Sequence, residues 1–247
     1  MATKIFLSPL FILIAFLVLV QIRSSEAGDD IIGVYWTLMD DNSNLTATCA
    51  TGKYTYVVIY YLQTSRDEFN PQFSIPGGTC DPRLSCPSIG PGVKYCQEQG
   101  IKVMLYIAGD GWNVTLSSAD KARNVSDYLW NTFLGGNSSS RPFRDAILDG
   151  INFDIRYFTP HWKDLAHYLK SHSTSTRTVY LSASPPCRFP DNFRGTALEE
   201  HGLFDYVFVQ FQNDPACQYS ELRGNVLLLE SWNNWTKALG SHPTMVV

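Results

Sequence analysis

Leu148-Asp149-Gly150-Ile151-Asn152-Phe153-Asp154-Ile155-Arg156-Tyr157 is the stretch on which the reading of this chain turns. Read as a strand, it puts Asn152, Asp154 and Arg156 on one face and Ile151, Phe153 and Ile155 on the other. The apolar face belongs in a core. Polar side chains along the opposite face of a buried strand are costly unless they pair or line a cleft. A strand end with solvated charges is the plainer alternative, and it leaves the alternation without an account.

Working outward, short apolar runs alternate with helical patterns. The candidate strands are Ile31–Tyr35, Tyr56–Leu62, Val103–Ala108, Gly150–Ile155, Val179–Ser182 and Tyr206–Phe211. Most are apolar on both faces, as buried parallel strands are. Ala122, Val125, Leu129 and Phe133 predict an amphipathic helix over 118–133. Leu165, Ala166 and Leu169 predict another over 162–171, and a third begins near Ser231 with Trp232 and Trp235 as core residues. Repeated strand–helix units point to a parallel sheet with helices outside. No GxGxxG turn follows the first strand, so a (β/α) barrel fits better than a doubly wound sheet. In a barrel the polar face of the quoted stretch points inward near the C-terminal mouth, where that fold places its chemistry. The Gly/Pro/Cys-rich stretch 76–92 reads as a disulfide-stapled loop.

The chain opens as a signal peptide: Lys4, an apolar run over 5–20, then Ser25-Glu26-Ala27 as the cleavage signal. Residues 1–27 are expected to be removed and 28–247 to form one barrel domain, secreted to the apoplast, cell wall or vacuole. Taking Lys4, Arg23 and Glu26 from 19 basic and 23 acidic residues leaves 17 and 22, a net charge of −5. An acidic chain without a basic stripe argues against nucleic acid, and no membrane association is expected after cleavage. Six cysteines in a secreted chain read as disulfides. There is no CxxC spacing and no HExxH, so neither a metal nor a cofactor is expected. Sequons at Asn44, Asn113, Asn124, Asn137 and Asn234 are candidate glycosylation sites.

The quoted stretch resembles the DGxDxDxE signature of family 18 glycoside hydrolases, and the rest is similar to the hevamine-type class III chitinases of plants. The resemblance runs from Ile31 almost to the C-terminus. It includes Tyr35-Trp36, 102–105, 128–131, 133–136, 138–142, 202–207, 209–211 and 217–219. It implies a (β/α)8 TIM barrel and the pairings Cys49–Cys96, Cys80–Cys86 and Cys187–Cys217. It also implies a substrate-assisted mechanism. A glutamic acid protonates the glycosidic oxygen, the substrate's acetamide attacks, an aspartate orients that acetamide, and a tyrosine hydrogen-bonds it.

Carried over position by position, the resemblance puts Arg156 at the acid and Asp154 at the orienting aspartate. Asn152 stands in the place of the preceding aspartate, and Asp149 matches. Gln210 matches, but Gln212 stands at the tyrosine and Tyr106 at a serine. Arginine stays protonated at any working pH and cannot be a general acid. The three same-face side chains are neutral, negative and positive, so the negative field that stabilises an oxocarbenium-like state is lost. Asp154 and Arg156, two residues apart on one face, are expected to pair. Tyr35, Tyr106 and Trp112 are candidate sugar-binding residues. The sequence stops at 243–247, where a seventh strand is expected to begin, so the barrel is read as truncated after about six βα units.

Within the resembling family, inactive scaffolds of this kind occur among proteins like concanavalin B and the xylanase inhibitor proteins. The expectation is therefore a non-catalytic, monomeric chitinase-like protein with a defence-related carbohydrate-binding or glycosidase-inhibitor role. Its partner is then a chitin-type oligosaccharide or a foreign glycosidase. The alternatives are an endochitinase using a displaced carboxylate, with Asp110 beside Trp112 as the candidate, and a storage or non-functional product.

Overall fold

The computed structural model describes residues 31–37, 44–62, 89–108, 116–154, 160–191, 195–240 and 244–246. Within them, seven strands alternate with six helices: β1 Gly33–Trp36, α1 Leu45–Ala50, β2 Tyr56–Leu62, α2 Ile89–Glu98, β3 Lys102–Ala108, α3 Ala119–Phe133, β4 Gly150–Asp154, α4 Trp162–Ser171, β5 Tyr180–Ala183, α5 Gly195–Leu198, β6 Tyr206–Phe208, α6 Val226–Leu239 and β7 Thr244–Val246. All neighbours pair parallel, in sequence order from β1 to β7. Parallel neighbours in strict order, each joined by a helical crossover, are the (β/α) barrel pattern.

The sheet curls. Tyr56 on β2 meets Tyr206 on β6 at a ring separation of 4.4 Å, although three strands lie between them. A Cβ added to Gly33 on β1 would stand 3.1 Å from the Phe208 ring. The inner faces of distant strands therefore touch, and their aromatic side chains fill the interior toward the strand N-termini. Burial and a hydrogen bond to Tyr206 push the Tyr56 phenol far above its ordinary range. On the outer faces, Val57, Ile59, Val103, Leu105, Ile107, Ile151, Phe153, Leu181 and Val207 are all buried. The helices cover them with the residues that the 3.6 period marks: Ala122, Val125, Leu129 and Phe133 on α3, and Leu165, Ala166 and Leu169 on α4. Ser118 caps α3 by accepting from the Lys121 amide at 3.1 Å.

Two differences from the sequence reading have physical causes. Residues 89–92, read as loop, open α2. Pro91 stands in the first turn, where a missing N–H costs nothing. Gly90 and Gly92 are there for space: a Cβ would stand 2.7 Å from the Phe143 carbonyl oxygen or 2.9 Å from Leu45 Cβ. Helix α6 starts at Val226, five residues before Ser231, because the apolar run 226–229 is its first turn. Thr244–Val246, where a seventh strand was expected to begin, pairs with β6 as β7.

A device repeats at the strand N-termini. Thr55, one residue before β2, donates its amide to the Ile32 carbonyl (2.9 Å), and its hydroxyl accepts from the Ile32 amide (2.9 Å). Asp149, before β4, does the same to Val103 on β3, with both bonds at 2.8 Å. Asp205, before β6, does it to Leu181 on β5, at 2.8 and 2.7 Å. Gln97 of α2 also donates to the Asp149 carboxylate (2.9 Å), and Lys170 of α4 pairs with Asp205 (2.7 Å).

The Cys49–Cys96 and Cys187–Cys217 disulfides are present. Cys80 and Cys86 lie outside the described residues. Among the described residues, no helix is long and apolar enough to cross a membrane.

Candidate functional site

The C-terminal strand ends gather polar side chains that the curl turns inward. Parallel register sets Tyr106 beside Asn152, and Asn152 beside Ser182, on β3, β4 and β5. Asn152, Ser182 and Ser184 are fully buried, and Asp154 is 2% exposed. Buried polar groups of this kind persist only when satisfied, and these are. Asn152 Nδ2 donates to Ser182 Oγ at 2.7 Å and lies 3.1 Å from Ser184 Oγ, which in turn donates to Asn152 Oδ1 at 3.2 Å. Ser182 passes its own proton toward Met104 Sδ (3.5 Å). The Tyr35 phenol reaches Ser184 Oγ at 2.6 Å from β1. Gln210 Nε2 donates to the Ser184 carbonyl at 2.9 Å, and its backbone bridges Pro186 beyond β5.

Asp154 Oδ2 accepts from the Tyr106 hydroxyl at 2.5 Å. Tyr106 is itself buried, wedged between Tyr35 (ring centroids 5.7 Å apart, edge to face) and Tyr60 (4.7 Å, tilted). Tyr35 is 45% exposed, so one aromatic face opens to solvent above a closed hydrogen-bond network. Chemically, the mouth offers a phenol-capped carboxylate, a neutral amide locked between two hydroxyls, and an accessible ring. Rings of this kind stack on the apolar faces of sugars.

The structure brings Tyr35, Tyr106, Asn152, Asp154 and Gln210 together. Gln212 is exposed, two residues beyond Gln210. Asp149 is not in the mouth: it precedes β4 at the opposite end of the strand, and its carboxylate clasps Val103 and Gln97. Arg156, Asp110 and Trp112 lie outside the described residues, and with them the expected Asp154–Arg156 pair. Sequence reasoning missed Ser182, Ser184 and Tyr60. The signal for the serines was available as Tyr180, Ser182 and Ser184, alternate positions whose polar character mirrors Asn152 and Asp154 across the strand pair.

Residues 31–242 match the family model for glycosyl hydrolases family 18. This chain belongs to glycosyl hydrolase family 18. An acidic endochitinase of Vitis vinifera is 48% identical over 235 residues, covering 93% of this chain and 76% of the relative. Among solved structures, the ICChI chitinase from Ipomoea carnea superposes with a TM-score of 0.75 at 40% identity, over 83% of this chain and 76% of that one. The xylanase and alpha-amylase inhibitor protein from Scadoxus multiflorus does so with a TM-score of 0.75 at 35% identity, over 85% and 76%. The family 18 scaffold thus carries both hydrolases and inhibitors at comparable distance from this chain, and the seven-stranded curled sheet is its barrel wall.

Proposed function

We propose that this family 18 protein is a secreted, non-hydrolysing, class III chitinase-like protein with a defence-related role. Its mouth binds a chitin-type oligosaccharide or a foreign glycosidase and cleaves neither. The observation that carries this reading is the polar network among the described residues: Asp154 is capped by Tyr106, and Asn152 is neutral and engaged by Ser182 and Ser184. A substrate acetamide needs the orienting carboxylate that Tyr106 holds. A glycosidic oxygen needs a proton donor, and Arg156 stands where the family signature has its acid. The neutral Asn152 removes a charge that would stabilise the oxocarbenium-like state. Support for binding comes from the exposed Tyr35 ring, and support for an inhibitory role from the likeness to the Scadoxus inhibitor.

A hydrolytic reading is favoured by one thing, the 48% identity to an acidic endochitinase with Asp154 in place. A fluorogenic chitotriose assay separates the two. The unmodified chain is expected to show no turnover above blank while retaining measurable chitotriose binding by calorimetry. Arg156→Glu alone is expected to restore nothing, because residues that act as a unit are strongly non-additive. Hydrolysis is expected only with Asn152→Asp and Gln212→Tyr added. Turnover by the unmodified chain that Asp154→Ala abolishes would establish the hydrolytic reading instead.

A further inference from the structure

The sequence offers five acceptor tripeptides of equal standing, and the structure separates them. Asn113 lies outside the described residues. At Asn124 the acceptor asparagine is exposed in the middle of α3, but its companion hydroxyl, Ser126, is fully buried with no hydrogen-bond partner among the described residues. At Asn234 the tripeptide lies in α6: Trp235 between the two is buried, with its indole N–H on the Cys187 carbonyl, and Thr236 spends its hydroxyl on the helix at Trp232 and Asn233. At Asn44 the side-chain oxygen caps α1 by accepting from Ala47, and Thr46 is inside that helix. Asn137-Ser138-Ser139 differs from all of these. It lies in the connection from α3 to β4, with Asn137 and Ser139 both exposed. Its backbone is pinned, Asn137 N–H donating to Asn131 Oδ1 at 2.9 Å.

The pinned turn opens onto a depression of about 630 Å³ lined by Gly136, Asn137, Ser139, Arg141 and Arg144. Arg141 is tied to the Gly136 carbonyl at 2.8 Å and holds the rim. Arg144 is exposed and sits at φ 58°, a left-handed conformation that a non-glycine residue adopts at some cost. The depression is polar, open and large enough for a sugar pair, with guanidinium donors for hydroxyl and acetamide oxygens.

We propose that Asn137 is the principal N-glycan acceptor among the described sequons, and that the first sugars of the glycan rest in this depression. The proposal rests on passage through the secretory pathway. In the transfer, Asn137 Nδ2 loses a proton and forms a bond to the anomeric carbon of an N-acetylglucosamine. The bond between that carbon and the diphosphate of a polyprenyl-diphosphate oligosaccharide breaks, and the diphosphate leaves with the electron pair. The folded positions favour this site. The acceptors in α3 and α6 have their companion residues buried or bonded within the helix, while the Asn137 turn stays presentable after folding. The α3–β4 connection lies at the N-terminal end of β4, opposite Asp154 at its C-terminal end. A glycan here leaves the mouth open.

The test is expression of the full chain behind a heterologous secretion signal in plant or insect cells, with glycopeptide occupancy read by mass spectrometry. Using a foreign signal keeps a failure of this site distinct from a failure of the chain's own leader. Expected is majority occupancy at Asn137, with occupancy at Asn44, Asn124 and Asn234 lower by at least several-fold. Both Asn137→Gln and Ser139→Ala are expected to lower the mass of the secreted protein by one glycan, and Asn234→Gln to leave it unchanged. An unoccupied Asn137 in the secreted protein, or occupancy at Asn44, Asn124 or Asn234 equal to it, overturns the proposal.

Discussion

Strand β4 has an aspartate at each end, Asp149 before it and Asp154 closing it, and the two are held in opposite ways. Asp149 is half-buried and takes its bonds from the Val103 amide and from Gln97, which also donates to the Ile147 carbonyl. Asp154 is almost wholly buried and is held by the phenol of Tyr106, a candidate sugar-binding side chain on the neighbouring strand. A carboxylate held by a backbone N–H is part of the frame, because removing it strands a donor that nothing else can satisfy. A carboxylate held by a side chain on the next strand can be released by one substitution without breaking the ladder. The signature therefore mixes framework and chemistry within six residues.

Asp149→Ala is the strongest test of that contrast. It leaves the buried Val103 amide without its acceptor, while Gln97 keeps the Ile147 carbonyl, and a buried donor stripped of its partner costs about 1–3 kcal/mol. At roughly 2–4 °C per kcal/mol for a chain of this size, thermal melting is expected to fall by about 2–12 °C. Asp205→Ala, which also releases Lys170, is expected to match it. A loss under 1 °C for either would mean that the clasps are ornamental. Tyr106→Phe comes next. Its effect on melting is expected to be comparable, since it takes one donor from a buried carboxylate; what sets it apart is that Asp154 Oδ2 gains room for a ligand amide. A charge-assisted hydrogen bond is worth about 1.5–3 kcal/mol, so chitotriose binding is expected to tighten about tenfold or more. Unchanged binding by calorimetry would show that the phenol does not gate Asp154.

The smallest effect concerns pH and again falls at the framework end. His172, just past α4, stacks flat on Trp130 with ring centroids 4.6 Å apart. Burial lowers its pKa below the ordinary imidazole value, and Asp127 offsets part of this. The unfolded chain therefore takes up a proton first. Stability from this group is full above about pH 6.5, the unfolded value, and is lost as pH falls toward the folded pKa. His172→Phe keeps the stack and removes the titration, so the melting temperature is expected to drop less between pH 7 and 5 than in the unmodified chain. Identical slopes would show that this histidine does not contribute.

Much of this was legible in the sequence, for reasons that separate the successes from the misses. Tyr56–Leu62 read correctly to the residue because a buried parallel strand is apolar on both faces and bounded by polar turns. The α3 and α4 stripes followed from period alone. Helix α2 was hidden because Gly90-Pro91-Gly92 carries breaker chemistry, and its real cause, the close approach of Phe143 and Leu45, exists only after folding. Ser184 was missed because it lies past the apolar run of β5, just before Pro185-Pro186, where no periodicity remains to be read. Asp149 was grouped with the mouth because a motif gives order along the chain and not which end of a strand faces the cleft.

The clasps at Thr55, Asp149 and Asp205 fall on every second strand, each tying an even strand to the odd one before it. Between β2 and β3, and between β4 and β5, backbone bonds join the N-terminal ends: the Lys102 amide donates to the Thr55 carbonyl and the Tyr180 amide to the Asp149 carbonyl. The β5–β6 pair is sewn at its other end as well, by the Cys187–Cys217 bridge over a separation of 30 residues. Clasped pairs therefore alternate along the wall with pairs joined at this end by the backbone alone. Each clasp gives one amide a side-chain acceptor where the ladder begins. Under hydrogen exchange the Ile32, Val103 and Leu181 amides are expected to be protected although they sit at the ends of the sheet.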